Sequence, residues 1–192
     1  MRVAATPLPG VLLLEPRRFR DARGWFMEGY QRERYAEAGI PGPFVQDNYS
    51  WSEPGVLRGL HYQWPQPQAK LVQVLLGAVW DVAVDIRRGS PTFGRWHGEL
   101  LSAENGRQLY IPEGFAHGFC VVEGPALVAY KCSALYLPEA DAGIRWDDPA
   151  LGIRWPLEGP PRLSDKDARA PRLDEVPEGR LPPWEAPPRE GG

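Results

Sequence analysis

Leu71-Val72-Gln73-Val74-Leu75-Leu76-Gly77-Ala78-Val79-Trp80-Asp81-Val82-Ala83-Val84-Asp85-Ile86 is the most regular stretch of the chain. It reads as two strong strands, 71–76 and 79–86, joined at Gly77-Ala78, because β-branched residues recur and a glycine punctuates them. After it, Arg87-Arg88-Gly89-Ser90-Pro91-Thr92 turns the chain. Short strand-like runs follow at His97–Leu101, Gln108–Ile111, Gly118–Val122 and Ala126–Leu135. Before it, Val11–Leu14 and Trp25–Glu28 read as strands and Arg17–Gly24 as a polar loop. Phe44–Ser52 is extended but unusually polar. Trp64–Gln68 reads as a proline-rich hairpin loop. One short helix is expected from Tyr30 to Ala38, stopped by Gly39. Strands at roughly 8–12-residue spacing with glycine and proline between them point to an all-β sandwich or barrel.

The 192 residues suit one domain with its own core, and there is no internal repeat. From Pro138 onward the chain becomes irregular and proline-rich, with a short edge strand expected at Ile153–Pro156. The single domain is expected to span 1–176. A proline-rich tail, 177–192, should wrap the surface or stay disordered. The net charge of -3 gives no broad basic field for nucleic acid or an anionic membrane. No apolar run approaches the roughly 20 residues needed to cross a bilayer, and the N-terminus lacks a signal-peptide core. Cys120 and Cys132 lie in apolar runs without CxxC spacing, which fits reduced, buried thiols in a cytoplasmic protein. Of the 22 basic residues, three are lysine (Lys70, Lys131 and Lys166), so 22 minus 3 leaves 19 arginines. A coding bias toward arginine would give the same ratio; otherwise those three lysines, Lys70 first, mark places that call for a compact ammonium on a flexible stem or one whose pKa can be shifted.

Chemistry is expected around Val56-Leu57-Arg58-Gly59-Leu60-His61-Tyr62-Gln63 and Lys70. With period two, Leu57, Gly59, His61 and Gln63 share one face of a strand, and Val56, Arg58, Leu60 and Tyr62 the other. Glycine within a strand signals close approach by a ligand or another backbone, so Gly59 draws attention to His61 beside it. Imidazole titrates near neutral pH and can carry protons, although a lone strand histidine is more often a hydrogen-bonded core residue. The only histidines are His61, His97 and His117. No two stand at i, i+2 or i, i+4, so no local metal-ligand pair exists. A phosphate-cradling GxxxxGK[ST] loop and a nucleophile elbow are both missing. Proton chemistry remains, with a histidine base, a lysine near a developing oxyanion and a tyrosine acid. Spacing alone does not lift Tyr130 or Asp167 above ordinary structural roles.

Several motifs stand together in one order: Arg58-Gly59-Leu60-His61-Tyr62-Gln63, Ala69-Lys70-Leu71-Val72, Val79-Trp80-Asp81-Val82-Ala83-Val84-Asp85-Ile86-Arg87 and Ser90-Pro91-Thr92-Phe93-Gly94. Leu101-Ser102-Ala103-Glu104-Asn105, Ile111-Pro112-Glu113-Gly114-Phe115-Ala116-His117-Gly118-Phe119 and Tyr130-Lys131 continue it. From about residue 3 to about 175 the chain resembles the dTDP-4-dehydrorhamnose 3,5-epimerase family. The resemblance implies a cupin-like jelly-roll β-barrel, a homodimer with exchanged strands, no cofactor and no metal. It implies a dTDP-4-dehydro-6-deoxyhexose substrate inverted at C3 and C5 by proton removal and return beside the C4 ketone. His61 matches the base, Asp167 its dyad partner, Tyr130 the acid and Lys70 the lysine near the C4 oxygen. Arg58 and His117 match residues on the pyrophosphate and sugar. Arg23, Glu28, Gln46, Asp47 and Asn48 match nucleotide-binding positions, Phe19 and Tyr136 aromatic residues around the base, and Lys166 a substrate-side lysine. Asp141 stands where the family usually has glutamate. Three competitors remain: a single-carbon epimerase of a related ketosugar, a non-catalytic sugar-nucleotide-binding barrel, and a metal-dependent cupin oxygenase. The missing paired histidines disfavour the oxygenase.

Overall fold

The computed structural model describes residues 1–185; Pro187 and Pro188 of the tail lie outside the described residues. The chain forms β1 (Arg2–Ala5), β2 (Leu12–Glu15), β3 (Arg18–Asp21), β4 (Gly24–Met27), α1 (Arg32–Glu37), β5 (Gln46–Ser52) and β6 (Leu57–Gln63). It continues with β7 (Lys70–Asp85), β8 (Trp96–Ser102), β9 (Gln108–Ile111), β10 (Phe115–Cys132), β11 (Asp141–Gly143) and α2 (Asp165–Ala168). Two 3-10 turns, Leu173–Glu175 and Glu178–Arg180, complete it. Among the described residues, nine antiparallel-paired strands make one continuous sheet in a cupin-like jelly-roll barrel, while β3 and β4 pair only with each other.

The two long strands organise everything. β7 does not stop at Gly77-Ala78, as the sequence suggested, but turns a corner there. Gly77 has φ +71°, and a Cβ on it would meet Glu123 O at 2.4 Å and Pro125 O at 2.5 Å. β10 turns beside it, so the runs read separately as 118–122 and 126–135 belong to one strand, which ends at Cys132 rather than Leu135. The corner also switches the phase of the alternation. Val72 and Val74 before it, and Val79 and Ala83 after it, enter the same core with Leu109, Phe119 and Val128. A charged residue, Asp81, falls between two of those inward positions. Val82, Val84 and Ile86 serve a second core with Leu60, Tyr62, Ile144 and Leu173.

Three local expectations need correction. Arg18–Asp21 is a strand, not a loop; the β3–β4 ribbon leaves Phe19, Trp25 and Phe26 at least half exposed, so its sequence carries no buried stripe. Trp64–Gln68 is not a hairpin, because β6 and β7 do not pair with each other. Ile153–Pro156 makes no ladder; Ile153 and Trp155 dock on the second core as irregular chain, with Trp155 Nε1 donating to Trp146 O at 2.9 Å. The short edge strand is β11 instead. In the tail, Leu181 is buried in the second core, and Arg88 N donates to Pro182 O at 2.8 Å. Cys120 and Cys132 are free and buried, as expected. No helix among the described residues is long and apolar enough to cross a membrane.

Candidate active site

The site is built where β6 crosses β10. His117 pairs with His61 and Phe119 with Arg58, so one residue of β10 opposes two of β6 and a bulge sits at Gly59-Leu60. The bulge overturns the period-two reading of this strand: Arg58 and His61 lie on one side, not on opposite faces. Gly59 is the hinge of this arrangement. Its φ is +109°, and a Cβ there would lie 2.6 Å from Gly118 Cα and 2.7 Å from His117 O. The close approach inferred from the sequence is therefore to another backbone.

α2 supplies the partner of His61. Ser164 caps this single turn, accepting from Asp167 N at 3.1 Å, and the turn presents Asp167 to β6. His61 Nε2 lies 2.6 Å from Asp167 Oδ1, and Gly59 N donates to Oδ2 at 3.4 Å. The His61 side chain is 34% exposed and that of Asp167 5%. Burial works to raise the Asp167 carboxyl, but the hydrogen bond and charge of His61, with Gly59 N and Ser164, hold it below its usual value. A fixed carboxylate on one ring nitrogen leaves the other available to the cavity.

That cavity, about 300 Å³, is lined by His61, Lys70, Tyr130, Gln46 and Asn48, among others. Tyr130 enters from the far half of β10. Burial raises its phenol, helped by Cys132 and opposed by Arg58. Lys70 pairs across strands with Cys132 and makes no ion pair within 4 Å among the described residues. Burial pushes its ammonium down, against the pull of Cys132, Asp81 and Asp141. At the rim, Asp141 Oδ2 accepts from the Tyr136 hydroxyl at 3.0 Å and also from Lys166 Nζ. Asp141 thus ties the α2 turn that carries Asp167 to β11. Gln46 accepts from Tyr136 N at 2.8 Å and donates to Asn48 Oδ1 at 3.0 Å.

Other candidates lie elsewhere. Arg58 is engaged by Ser52 Oγ at 2.9 Å and Trp51 O at 3.0 Å. Asp47 points outward from β5, paired with Lys131 at 2.9 Å, so the Gln46-Asp47-Asn48 run is split between two faces. Phe19 and Arg23 belong to the β3–β4 ribbon, Arg23 bound to Asp21 at 2.6 Å; Glu28 follows that ribbon and pairs with Arg34. None of the three lines the His61 cavity. His117 sits behind His61, 6% exposed, with Nε2 2.8 Å from Asp81 Oδ1. Sequence reasoning passed over Asp81, although a carboxylate inside an apolar strand was itself a signal. No group of three or more His, Cys, Asp or Glu side chains among the described residues is arranged to hold a metal ion.

A histidine–carboxylate pair, a tyrosine and a lysine around one cavity in a jelly-roll barrel are equipped for moving protons beside a carbonyl, the chemistry of an epimerase. The family model described as dTDP-4-dehydrorhamnose 3,5-epimerase matches residues 5–175, and the chain belongs to that family. The dTDP-4-dehydrorhamnose 3,5-epimerase of Pseudomonas aeruginosa is 55% identical over 168 residues, covering 87% of this chain and 93% of that one. The namesake of Neisseria gonorrhoeae is 54% identical over 167 residues, 87% of this chain; the match spans about half, 51%, of that longer protein. The dTDP-6-deoxy-D-glucose-3,5-epimerase of Legionella pneumophila, solved with dTDP-4-keto-L-rhamnose, superposes with a TM-score of 0.94 at 51% identity. That superposition covers 96% of this chain and 99% of the other.

Proposed function

We propose that the protein converts dTDP-4-dehydro-6-deoxy-D-glucose into dTDP-4-dehydro-β-L-rhamnose, inverting C3 and C5 without a metal or organic cofactor. The observation that carries this is the His61–Asp167 pair, at 2.6 Å, opening onto the same cavity as Tyr130 and Lys70. His61 removes the proton beside the C4 ketone, and the electron pair left on carbon delocalises onto the C4 oxygen. Asp167 orients the imidazole and stabilises the imidazolium. Lys70 stabilises the enolate oxygen. Tyr130 returns a proton to carbon from the other side of the ring, and solvent restores the phenol and the imidazole. Burial of Tyr130 keeps its proton on until the enolate takes it.

Substrate binding falls to Gln46, Asn48, Tyr136, Asp141 and Lys166 at the rim, with Arg58 on the His61 side of β6 nearer the pyrophosphate; His117, buried behind His61, supports the sugar site from beneath. Phe19, Arg23 and Glu28 reach a nucleotide only from a second copy, as in a homodimer with exchanged strands. Support comes from the ribbon's exposure, with Phe26 69% exposed, and from Tyr49 and Trp51 on the outer face of β5. Asp47 belongs to that same outer face. A cytoplasmic location fits the two free thiols.

The test is NMR in D₂O with dTDP-4-dehydro-6-deoxyglucose. Deuterium at C3 and C5 is the expected result. Label at one carbon establishes the single epimerase instead, and no label reduces the protein to a binding barrel.

A further inference from the structure

Asp81 is fully buried, between Val79 and Ala83 of the apolar core. One of its oxygens takes His117 Nε2 at 2.8 Å; Oδ2 has no hydrogen-bond partner among the described residues. A carboxylate in such a place is costly to keep unless another charge compensates it. The corner at Gly77 folds one half of β7 over the other: Val72 and Val74, in phase with Lys70, and Val79 and Ala83, in phase with Asp81, meet in one core, so Lys70 and Asp81, eleven positions apart on the strand, project into the same interior. The titratable groups facing Lys70 are His61 from β6, Cys132, His117 and Tyr130 from β10, Asp141 from β11, Lys166 from α2 and Asp81 itself, and of these neither the imidazole of His61 nor the phenol of Tyr130 supplies a negative charge. Cys132 is a buried thiol whose own proton is held by burial. Asp141 is already neutralised by Lys166. Lys166 opposes a second positive charge, and so does any proton on His117. Asp81 is what remains to balance Lys70.

We propose that Asp81 is a positioning residue for the reaction. It is the fixed counter-charge that keeps Lys70 an ammonium beneath the C4 oxygen while pinning His117 through Nε2. The inference rests on the epimerase reading for its role in turnover, but the state of Lys70 can be read without any substrate. Only three lysines exist, so a protein labelled with ¹³C at lysine Cε gives three resolvable titrations, and Lys70→Met identifies one of them. In Asp81→Asn the Lys70 midpoint should fall by about one pH unit or more, as expected when an opposing charge is removed. Asp81→Glu should leave it within half that shift. The alkaline limb of the kcat profile should move down by the same amount, with kcat about tenfold lower at pH 8 and KM within twofold. In a Lys70→Met background, Asp81→Asn should cost nothing further. An unmoved Lys70 titration, or an equal loss of kcat in both backgrounds, overturns the proposal. Asp81→Ser removes the same charge with a smaller side chain and serves if the asparagine variant does not fold. A moved titration in a protein that shows no epimerisation would leave the counter-charge standing and remove the epimerase reading alone.

Discussion

The molecule contains two histidine–carboxylate pairs built from the same parts. His61–Asp167 closes at 2.6 Å and His117–Asp81 at 2.8 Å, on histidines directly opposite each other across β6 and β10. Their surroundings differ. The His61 side chain is 34% exposed and its carboxylate has a backbone donor on the second oxygen; His117 is 6% exposed and Asp81 Oδ2 has no partner among the described residues. Burial pushes His117 down, Asp81 works against it, and Lys70 and His61 add to the lowering. Geometry alone does not make a proton carrier: the pair that opens on the cavity suits a base, while the sealed pair suits a fixed electrostatic support.

Mutation of the open pair should have the largest effect. His61→Asn is expected to reduce kcat by about 10³-fold, within the range for a lost general base, with dTDP affinity unchanged within twofold. Steady-state kinetics and calorimetry check both halves. If instead the His117→Asn variant loses the greater share of kcat, the assignment of base and support is reversed.

Gly59→Ala should come next, because it disturbs both pairs at once. The new methyl meets the Gly118 and His117 backbones at a left-handed φ, so a loss of about 3 kcal/mol in urea unfolding is expected. A neutral result would show that the two strands can separate without disturbing either histidine. Leu181→Ala tests a region remote from both pairs. Truncating this buried side chain should cost about 2 kcal/mol and leave kcat within twofold.

The smallest effect expected is the pH dependence of Asp167. Its folded carboxyl lies below the ordinary aspartate value of about 3.9, so its contribution to stability is present above that pH and is lost as pH falls through the folded pKa. Asp167→Asn should therefore lower stability by roughly 1 kcal/mol near neutrality, with the deficit shrinking to nothing as pH falls below about 4, so that its acid-unfolding profile is flatter. Unchanged acid unfolding in this variant would separate Asp167 from the stability of the fold.

Much of this was legible in the residues. The strand rhythm gave the barrel class because alternation and turn glycines are local signals. Gly59 announced a close approach, and of the three lysines singled out by their rarity Lys131 is paired with Asp47, Lys166 with Asp141, and Lys70 lines the cavity. The faces were less legible. A bulge at Gly59-Leu60 and a corner at Gly77 each shift the alternation by one, and neither is visible without the partner strand. The exposed β3–β4 ribbon left no apolar pattern to read. Asp81 was visible as a letter but not as a site, because its meaning depends on Lys70 arriving from the other side of the corner.

Deuterium wash-in to the substrate, followed in parallel with Tyr130→Phe and His61→Asn, tests the central division of labour most directly. With Tyr130→Phe, label should enter beside the C4 ketone while net inversion stops; with His61→Asn, neither should occur. Persistent wash-in without His61, or its loss in both variants alike, would contradict a base and an acid acting as separate groups.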